Sequence, residues 1–300
     1  MNWENLREDE FKEAIKTTGG VCVLPLGCLE RHGAHCPVGT DSIKAIGIAE
    51  EAASLEEVMV FPVGMWLGDV YGVHTEKDPF SIKKAGYISM NPRTTLDVLE
   101  QLCDEIARNG FRKILILNSH GGNKPLLSYF LRCQEYERKP YATMVAPLRP
   151  KPVYKPAVFY EIVSENREDY PMLTDSDMEV LKEWAEKGSW GGGHADFTEI
   201  ASVMGINPEL IATDRLELDP DMNLKRSSYL NEWEINLVAA WDADHPNAMS
   251  GYAPHGVSET IGQAMNTYCA RHLAKMFKML KEDEECVKIA TNPFVKFDNE

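Results

Sequence analysis

This 300-residue chain lacks both a C-x-x-C pair and the regular cysteine framework of small disulfide-rich proteins. Its seven cysteines are odd in number and scattered, at positions 22, 28, 36, 103, 133, 269 and 286. Such a pattern is typical of a reducing compartment, where thiols stay unpaired. The sequence therefore argues against a fold that depends on disulfides.

Positive charge and long hydrophobic runs are also scarce. Lys and Arg total 31 against 47 Asp and Glu, so the formal net charge is -16. Proteins that bind nucleic acids present basic surfaces to the phosphate backbone, so this acidic chain is a poor candidate for that class. The longest apolar runs are far shorter than a membrane span, and the charged stretch 1–20 lacks the apolar centre of a signal peptide. We therefore expect a cytoplasmic protein with neither a nucleic-acid partner nor a membrane partner.

The glycine motifs of nucleotide-binding proteins are missing as well. No G-x-G-x-x-G follows the first apolar run and no G-x-x-x-x-G-K-[ST] occurs, which disfavours a nucleotide-binding α/β protein. The apolar fraction of 44% is typical of a globular chain with a core. We interpret 1–300 as one domain, with 149–175, which begins with a stretch rich in proline, as an insertion or connector and 284–300 as a C-terminal tail.

Apolar runs alternate with segments of helical periodicity along much of the chain. Strands are predicted at 21–27, 58–64, 113–117 and 141–148, and helices at 42–55, 91–110, 124–137, 175–188, 195–205 and 259–283. Asp41 and Asn91 stand at the positions of helix N-caps. This alternation favours an α/β fold with a mainly parallel sheet covered by helices on both faces.

Two stretches rich in metal-binding side chains follow predicted strands. In CLERHGAHCPVGTD (28–41), Glu30 and His32 point to the same side of an extended segment, and Asp41 lies beyond a tight turn. In NSHGGN (118–123), His120 ends an apolar strand, and the two glycines after it let backbone approach a ligand closely. The alternatives are a surface loop and a buried core histidine. Because ligands collect at the carboxyl ends of parallel strands, we favour a centre for Zn, Mn or Fe.

A third stretch, SWGGGHADFTE (189–199), contains three glycines before His194, and Glu199 follows five residues later. Both side chains reach one pocket if the chain kinks where the next helix begins. The alternative is a glycine loop before an ordinary helix.

Together the three stretches resemble the creatininase family of metal-dependent amidohydrolases. LPLGCLERHGAHCPVGTD is similar to the family's LPxGSxEQHGPHLPLGTD, NSHGGN to its N-G-H-G-G-N, and GGGHADFTEIASVM to its H-A-G-x-x-E-T-S element. They occur in the same order and span most of 21–205. The resemblance implies a Rossmann-like three-layer αβα sandwich, a homo-oligomer that is often a hexamer, and hydrolysis of a C–N bond in a small-molecule amide.

The resemblance also implies two divalent metal ions per subunit, Zn, Mn or Fe, bridged by a hydroxide that acts as the nucleophile. Glu30, Asp41 and His120 would hold one ion. His32, Asp41 and Glu199 would hold the other, so that Asp41 bridges. His194 would be the acid–base that gives a proton to the leaving nitrogen, next to Glu199 in the catalytic set.

Several positions depart from the family pattern. Creatininase proper has a metal-binding Glu where this chain has Gly122, so Glu199 must take that role, and Gly121 and Gly122 would line the substrate site; this departure argues against creatinine as substrate. Arg31 replaces a Gln and would meet an anionic substrate group or a surface carboxylate. Trp190 would line the pocket or pack in the core.

The remaining candidates have weaker support. Cys28, His35 and Cys36 are interpreted as packing groups around the ligands, and His74 as an exposed loop residue near the site. The main hypothesis is a hydrolase of an amide, a cyclic amide or a formamide other than a peptide bond. The alternative is a catalytically altered metal-binding or sensor protein on the same scaffold.

Overall fold

The computed structural model describes residues 1–70, 86–218, 223–250 and 255–293. Its central sheet has four strands in the order β2-β1-β3-β4. The strands are β1 (Val21–Leu26), β2 (Met59–Val60), β3 (Lys113–Asn118) and β4 (Ala142–Pro147). All three pairs are parallel, and β1 is buried along its whole length, as expected when helices cover both faces of a parallel sheet.

Helices account for most of the rest of the described chain. They are α1 (Phe11–Thr17), α2 (Thr40–Leu55), α3 (Pro92–Arg108), α4 (Asn123–Tyr136), α5 (Pro156–Glu165), α6 (Asp175–Lys187), α7 (Phe197–Ile206), α8 (Ala240–Asp244), α9 (Glu259–Glu282) and α10 (Glu285–Thr291). None of these helices is both long and apolar enough to cross a bilayer.

Alternate residues of the strands point into two separate cores, which makes the architecture a three-layer αβα sandwich. Val21 and Val23 of β1 face a core formed with α2, α5, α6, α7 and α9. Cys22 and Leu24, on the opposite face, pack with α1, α3 and α4. The predicted fold class is therefore confirmed.

Two predicted element boundaries are wrong. The strand predicted at 58–64 pairs only over Met59–Val60, because Pro62 has no N–H to donate and Gly64 has φ 87°. Asp41 was predicted as a helix cap, but α2 begins at Thr40 after Gly39, so Asp41 lies in the first turn. The predicted cap of α3 is confirmed, since the Asn91 side chain accepts a hydrogen bond from the backbone N–H of Arg93.

The segment 149–175, predicted as an insertion or connector, contributes to the core. It contains α5, and Phe159 and Val163 of this helix are fully buried beside α6. In the segment predicted as a tail, α10 is formed, and residues 294–300 lie outside the described part of the chain.

Helices α7 and α9 contact each other backbone to backbone. A Cβ atom added to Gly262 of α9 would lie 1.8 Å from the carbonyl oxygen of Ala201, so only glycine fits there. This close contact fixes α7, whose first turn carries Glu199, against α9.

Candidate metal centre

The candidate ligands lie at the carboxyl edge of the sheet. Glu30 and His32 follow β1, and His120 follows β3, the neighbouring strand. Asp41 and Glu199 lie in the first turns of α2 and α7. The structure thus brings together all five side chains that the sequence suggested as ligands, although Glu199 is 158 residues from Asp41 in the chain.

Four side chains form what we call the His120 group: Cys28, Glu30, Asp41 and His120. The Nδ1 atom of His120 lies 3.0 Å from Oε1 of Glu30 and 3.0 Å from Oδ2 of Asp41. The Cys28 thiol donates a hydrogen bond of 3.3 Å to the same Asp41 oxygen. All four ligand atoms lie within 4.8 Å of one another, a spacing that one cation with bonds of about 2.0–2.3 Å can bridge.

Three side chains form the Glu199 group: His32, Asp41 and Glu199. The Nε2 atom of His32 lies 3.4 Å from Oε2 of Glu199 and 3.6 Å from Oδ2 of Asp41. All three residues are buried. Asp41 belongs to both groups, which is the position of a bridging carboxylate.

The rings of His120 and His32 each donate one ring N–H to a backbone carbonyl on the side away from the carboxylates. Metal-binding histidines are commonly oriented by such a hydrogen bond. Nε2 of His120 donates to the carbonyl of Asp69 at 3.0 Å, and Nδ1 of His32 donates to the carbonyl of Glu30 at 3.2 Å. In each ring the other nitrogen faces the carboxylates. Buried Glu30 Oε1 and His32 Nε2 make no hydrogen bond within the described residues, so the donor set fits a divalent cation.

The buried carboxylates favour positive charge on the histidines. Burial lowers the pKa of His32, but Asp41 and Glu199 outweigh it and raise that pKa to about 9. His120 behaves in the same way: burial opposes the shift, and hydrogen bonds, first of all to Asp41, raise its pKa well above the ordinary value. A proton and a metal ion therefore compete for these nitrogens, and metal affinity should rise with pH.

Two buried cations that sequence reasoning missed flank Glu199. The ammonium of Lys44 lies 2.9 Å from Oδ1 of Asp41 and also pairs with Oε1 of Glu199. Arg149 donates to the Thr198 hydroxyl at 2.9 Å, and its Nη2 atom lies 3.6 Å from Oε1 of Glu199. Burial raises the pKa of Glu199, but Lys44 and His32 outweigh it and bring that pKa to about 2. In the sequence, the only indication of such a cation is that Lys44 interrupts the apolar pattern of the helix predicted at 42–55.

His194 lies against the Glu199 group. Its ring stacks on His32 with centroids 4.2 Å apart, and its Nε2 donates to the carbonyl of Arg31 at 2.9 Å. The Nδ1 atom is 3.8 Å from Oε1 of Glu30. Burial, followed by the neighbouring charge of His32, lowers the pKa of His194. The ring is therefore neutral near pH 7, with Nδ1 directed toward the site.

The turn between His194 and α7 is fixed by hydrogen bonds at both of its ends. Ala195, with φ 53°, donates its N–H to Oε2 of Glu199 at 2.8 Å and accepts from Nε2 of His35 at 3.1 Å. Asp196 caps α7 by accepting from the N–H groups of Thr198 and Glu199. This turn sets the positions of His194 and Glu199 relative to each other and gives His35 a structural role.

The other predicted residues lie as follows. Trp190 is buried, stacks on Phe197 with centroids 4.9 Å apart, and donates its indole N–H to the carbonyl of Val153, so its contacts are those of core packing. Arg31 is half-buried and its Nε atom donates to the carbonyl of Gly33. Cys36 packs beside a small core on α7. His74 lies outside the described residues.

Gly122 leaves room for the hydrogen bond that orients His120. A Cβ atom there would lie 2.4 Å from Nε2 of His120 and 2.8 Å from the carbonyl oxygen of Asp69. We predict that Gly122→Ala tilts the ring and weakens metal binding by roughly 10–100-fold, as loss of a supporting contact does. Titration calorimetry with Zn²⁺ or Mn²⁺ measures this.

The matched control is Gly121→Ala. A Cβ atom at Gly121 would meet nothing within 4 Å, so this variant should bind metal as the unchanged protein does. Equal affinities for the two alanine variants would contradict the assigned orientation of His120.

Comparison with known sequences supports the likeness. The creatininase family model, described as creatinine amidohydrolase, matches residues 4–277. Creatinine amidohydrolase of Pseudomonas putida is 25% identical over 115 residues, 38% of this chain and 42% of that protein. The 3-dehydro-scyllo-inosose hydrolase of Thermotoga maritima is 26% identical over 120 residues, 40% of this chain and 35% of that protein. These alignments span less than half the length of the curated relatives.

Solved structures extend the likeness to nearly the whole chain. A crystal structure of creatinine amidohydrolase superposes with a TM-score of 0.67 at 17% identity, covering 94% of this chain and 98% of that one. A protein described as a putative creatinine amidohydrolase from Bacteroides fragilis gives 0.65 at 20% identity, covering 95% and 97%. These structures share the fold, and the family model covers most of the sequence: the chain belongs to the creatininase family.

Proposed function

We propose that this protein is a metal-dependent hydrolase of a C–N bond in a small-molecule amide, cyclic amide or formamide. The observation that carries the proposal is the His120 group, in which two carboxylate oxygens lie 3.0 Å from a histidine nitrogen whose ring is oriented by a backbone carbonyl. Membership of the family supports the reaction class. Solved creatininases described as a Zn-Zn type and a Mn form support Zn or Mn as the metal.

A metal centre here would supply the electrophile and the nucleophile of this reaction. Bound divalent cations would polarise a substrate carbonyl and lower the pKa of a water molecule, and in the finer form of the proposal Asp41 is a ligand that two such cations would share. Glu30, Asp41 and His120 would hold the first cation. His32, Asp41 and Glu199 are the residues available for a second.

His194 is placed to carry the proton that the reaction must move. Its Nε2–H is donated to the carbonyl of Arg31, so Nδ1 is free to accept a proton from the attacking water. The same nitrogen then gives that proton to the leaving nitrogen, which is a poor leaving group unless protonated. The ring of His32 stacks on this imidazole with centroids 4.2 Å apart and restricts its position.

The alternative, a catalytically altered metal-binding or sensor protein, depended on Arg31 and on the pair Asp196-Phe197. The structure gives the pair ordinary structural roles, because Asp196 caps α7 and Phe197 packs against Trp190. These departures from the family pattern therefore leave the ligands and His194 in place. The homo-oligomer and the chemical identity of the amide stay predictions.

Metal removal tests the proposal. Protein dialysed against a chelator should lose hydrolysis of a panel of cyclic amides, formamides and other small amides, and Zn²⁺ or Mn²⁺ added back should restore it, because the buried carboxylates and histidines cannot polarise a carbonyl by themselves. Release of amine or ammonia is the measurement. Metal-loaded protein that binds a panel compound without hydrolysing it would instead favour the sensor.

A further inference from the structure

Lys44 occupies the interior of the centre instead of solvent. It projects from α2 one turn after Asp41, is fully buried, and pairs with one oxygen of Asp41 and one oxygen of Glu199. A buried ammonium is retained only where negative groups compensate its lost hydration. Both carboxylates of the Glu199 group supply that compensation.

Glu199 has few unused acceptor sites left for a metal ion. Its Oε1 atom pairs with Lys44 and lies 3.6 Å from Arg149. Its Oε2 atom accepts the N–H of Ala195 at 2.8 Å. A cation bound to Glu199 would therefore compete with two fixed positive groups and a backbone donor.

This competition is weaker in the His120 group. Asp41 faces His120 with its Oδ2 atom, whereas Lys44 pairs with the other oxygen, Oδ1. Glu30 Oε1 is a buried atom without a hydrogen bond among the described residues. The two groups thus share Asp41 but differ in how much of their negative charge is already neutralised.

Resting on the proposed metal dependence, we propose that Lys44 takes the place of one of the two cations. The chain binds one divalent ion tightly in the His120 group, and the Glu199 group binds a second ion only weakly. One divalent ion, the Lys44 ammonium and the Arg149 guanidinium together already bring four positive charges to the three carboxylates Glu30, Asp41 and Glu199. A second divalent ion would add charge that the buried site does not compensate, a few ångströms from Lys44 and Arg149.

Metal stoichiometry tests this inference. The protein is stripped of metal and titrated with Mn²⁺, and bound metal is measured by elemental analysis after equilibrium dialysis. Electron paramagnetic resonance then separates isolated Mn²⁺ from exchange-coupled pairs. The variants are Lys44→Met, which removes the charge, and Lys44→Gln, which keeps a hydrogen-bond donor. The matched control is Lys113→Met, another buried lysine, at the opposite end of β3, which pairs with Glu284.

The unchanged protein and Lys113→Met should bind one tight equivalent with an isolated Mn²⁺ spectrum. In either Lys44 variant the second equivalent should bind roughly 100-fold more tightly or better, because a like charge has been removed nearby, and the coupled spectrum should appear. Two equally tight equivalents in the unchanged protein, or one in a folded Lys44 variant, would overturn the inference. No tight equivalent in the unchanged protein would overturn the proposed function itself.

Discussion

The His120→Ala variant is expected to lose tight metal binding and hydrolysis together. His120 is the only ring nitrogen in the His120 group, and its Nδ1 atom is 3.0 Å from two carboxylate oxygens of that group. Without it the two carboxylates keep only the Cys28 thiol as a third group of the site. Because a bound cation stabilises the transition state by several kcal/mol, we expect kcat/KM to fall by roughly 10³-fold or more.

The measurements are elemental analysis, calorimetric titration with Zn²⁺ or Mn²⁺, and kcat/KM on whichever amide the panel identifies. His272→Ala is the matched control, since His272 is an exposed histidine on α9 and its removal should change neither metal content nor rate. Thermal unfolding of each variant shows whether the fold is kept. Full metal occupancy with unchanged activity in His120→Ala would rule out the proposed function.

The convergence of the ligands was predictable from the sequence because parallel strands deliver their carboxyl ends to one edge. Glu30 and His32 follow the apolar strand β1, and His120 follows the apolar strand β3. The spacing of the motifs then brought in Asp41 and Glu199 through the family likeness. The convergence at the sheet edge needs only the order of elements along the chain, which periodicity indicates, whereas the complete ligand set came from the resemblance.

The contacts between distant segments were not predictable in the same way. In the sequence, Lys44 is one polar residue in a helix pattern that is otherwise largely apolar. Its partner Glu199 is 155 residues away in the chain, so the pairing is visible only in the folded structure. The sequence places Arg149 in a connector rich in proline, whereas in the structure it is buried and donates a hydrogen bond to Thr198. Trp190 had two plausible roles, and its stacking on Phe197 is a tertiary contact that periodicity does not encode.

The His194→Ala variant is expected to keep its metal and lose turnover. The ring contacts the centre through stacking on His32, while its Nδ1 atom is 3.8 Å from the nearest oxygen of Glu30. Removing a positioned acid–base group costs roughly 10²–10⁴ in rate. Metal content should equal that of the unchanged protein, and kcat should fall more than KM rises.

The nature of the leaving group gives this prediction a second, independent readout. If His194 delivers the proton to the departing nitrogen, the defect should be large for an alkyl amide and much smaller for a nitroanilide, whose amine leaves without full protonation. A merely structural defect would slow both substrates equally. Loss of metal in His194→Ala would show instead that His194 is a ligand with Glu30 and His32, the third grouping that the geometry permits. The rate ratio between the two substrates, measured in the unchanged protein and in the variant, therefore distinguishes proton transfer from support of the fold.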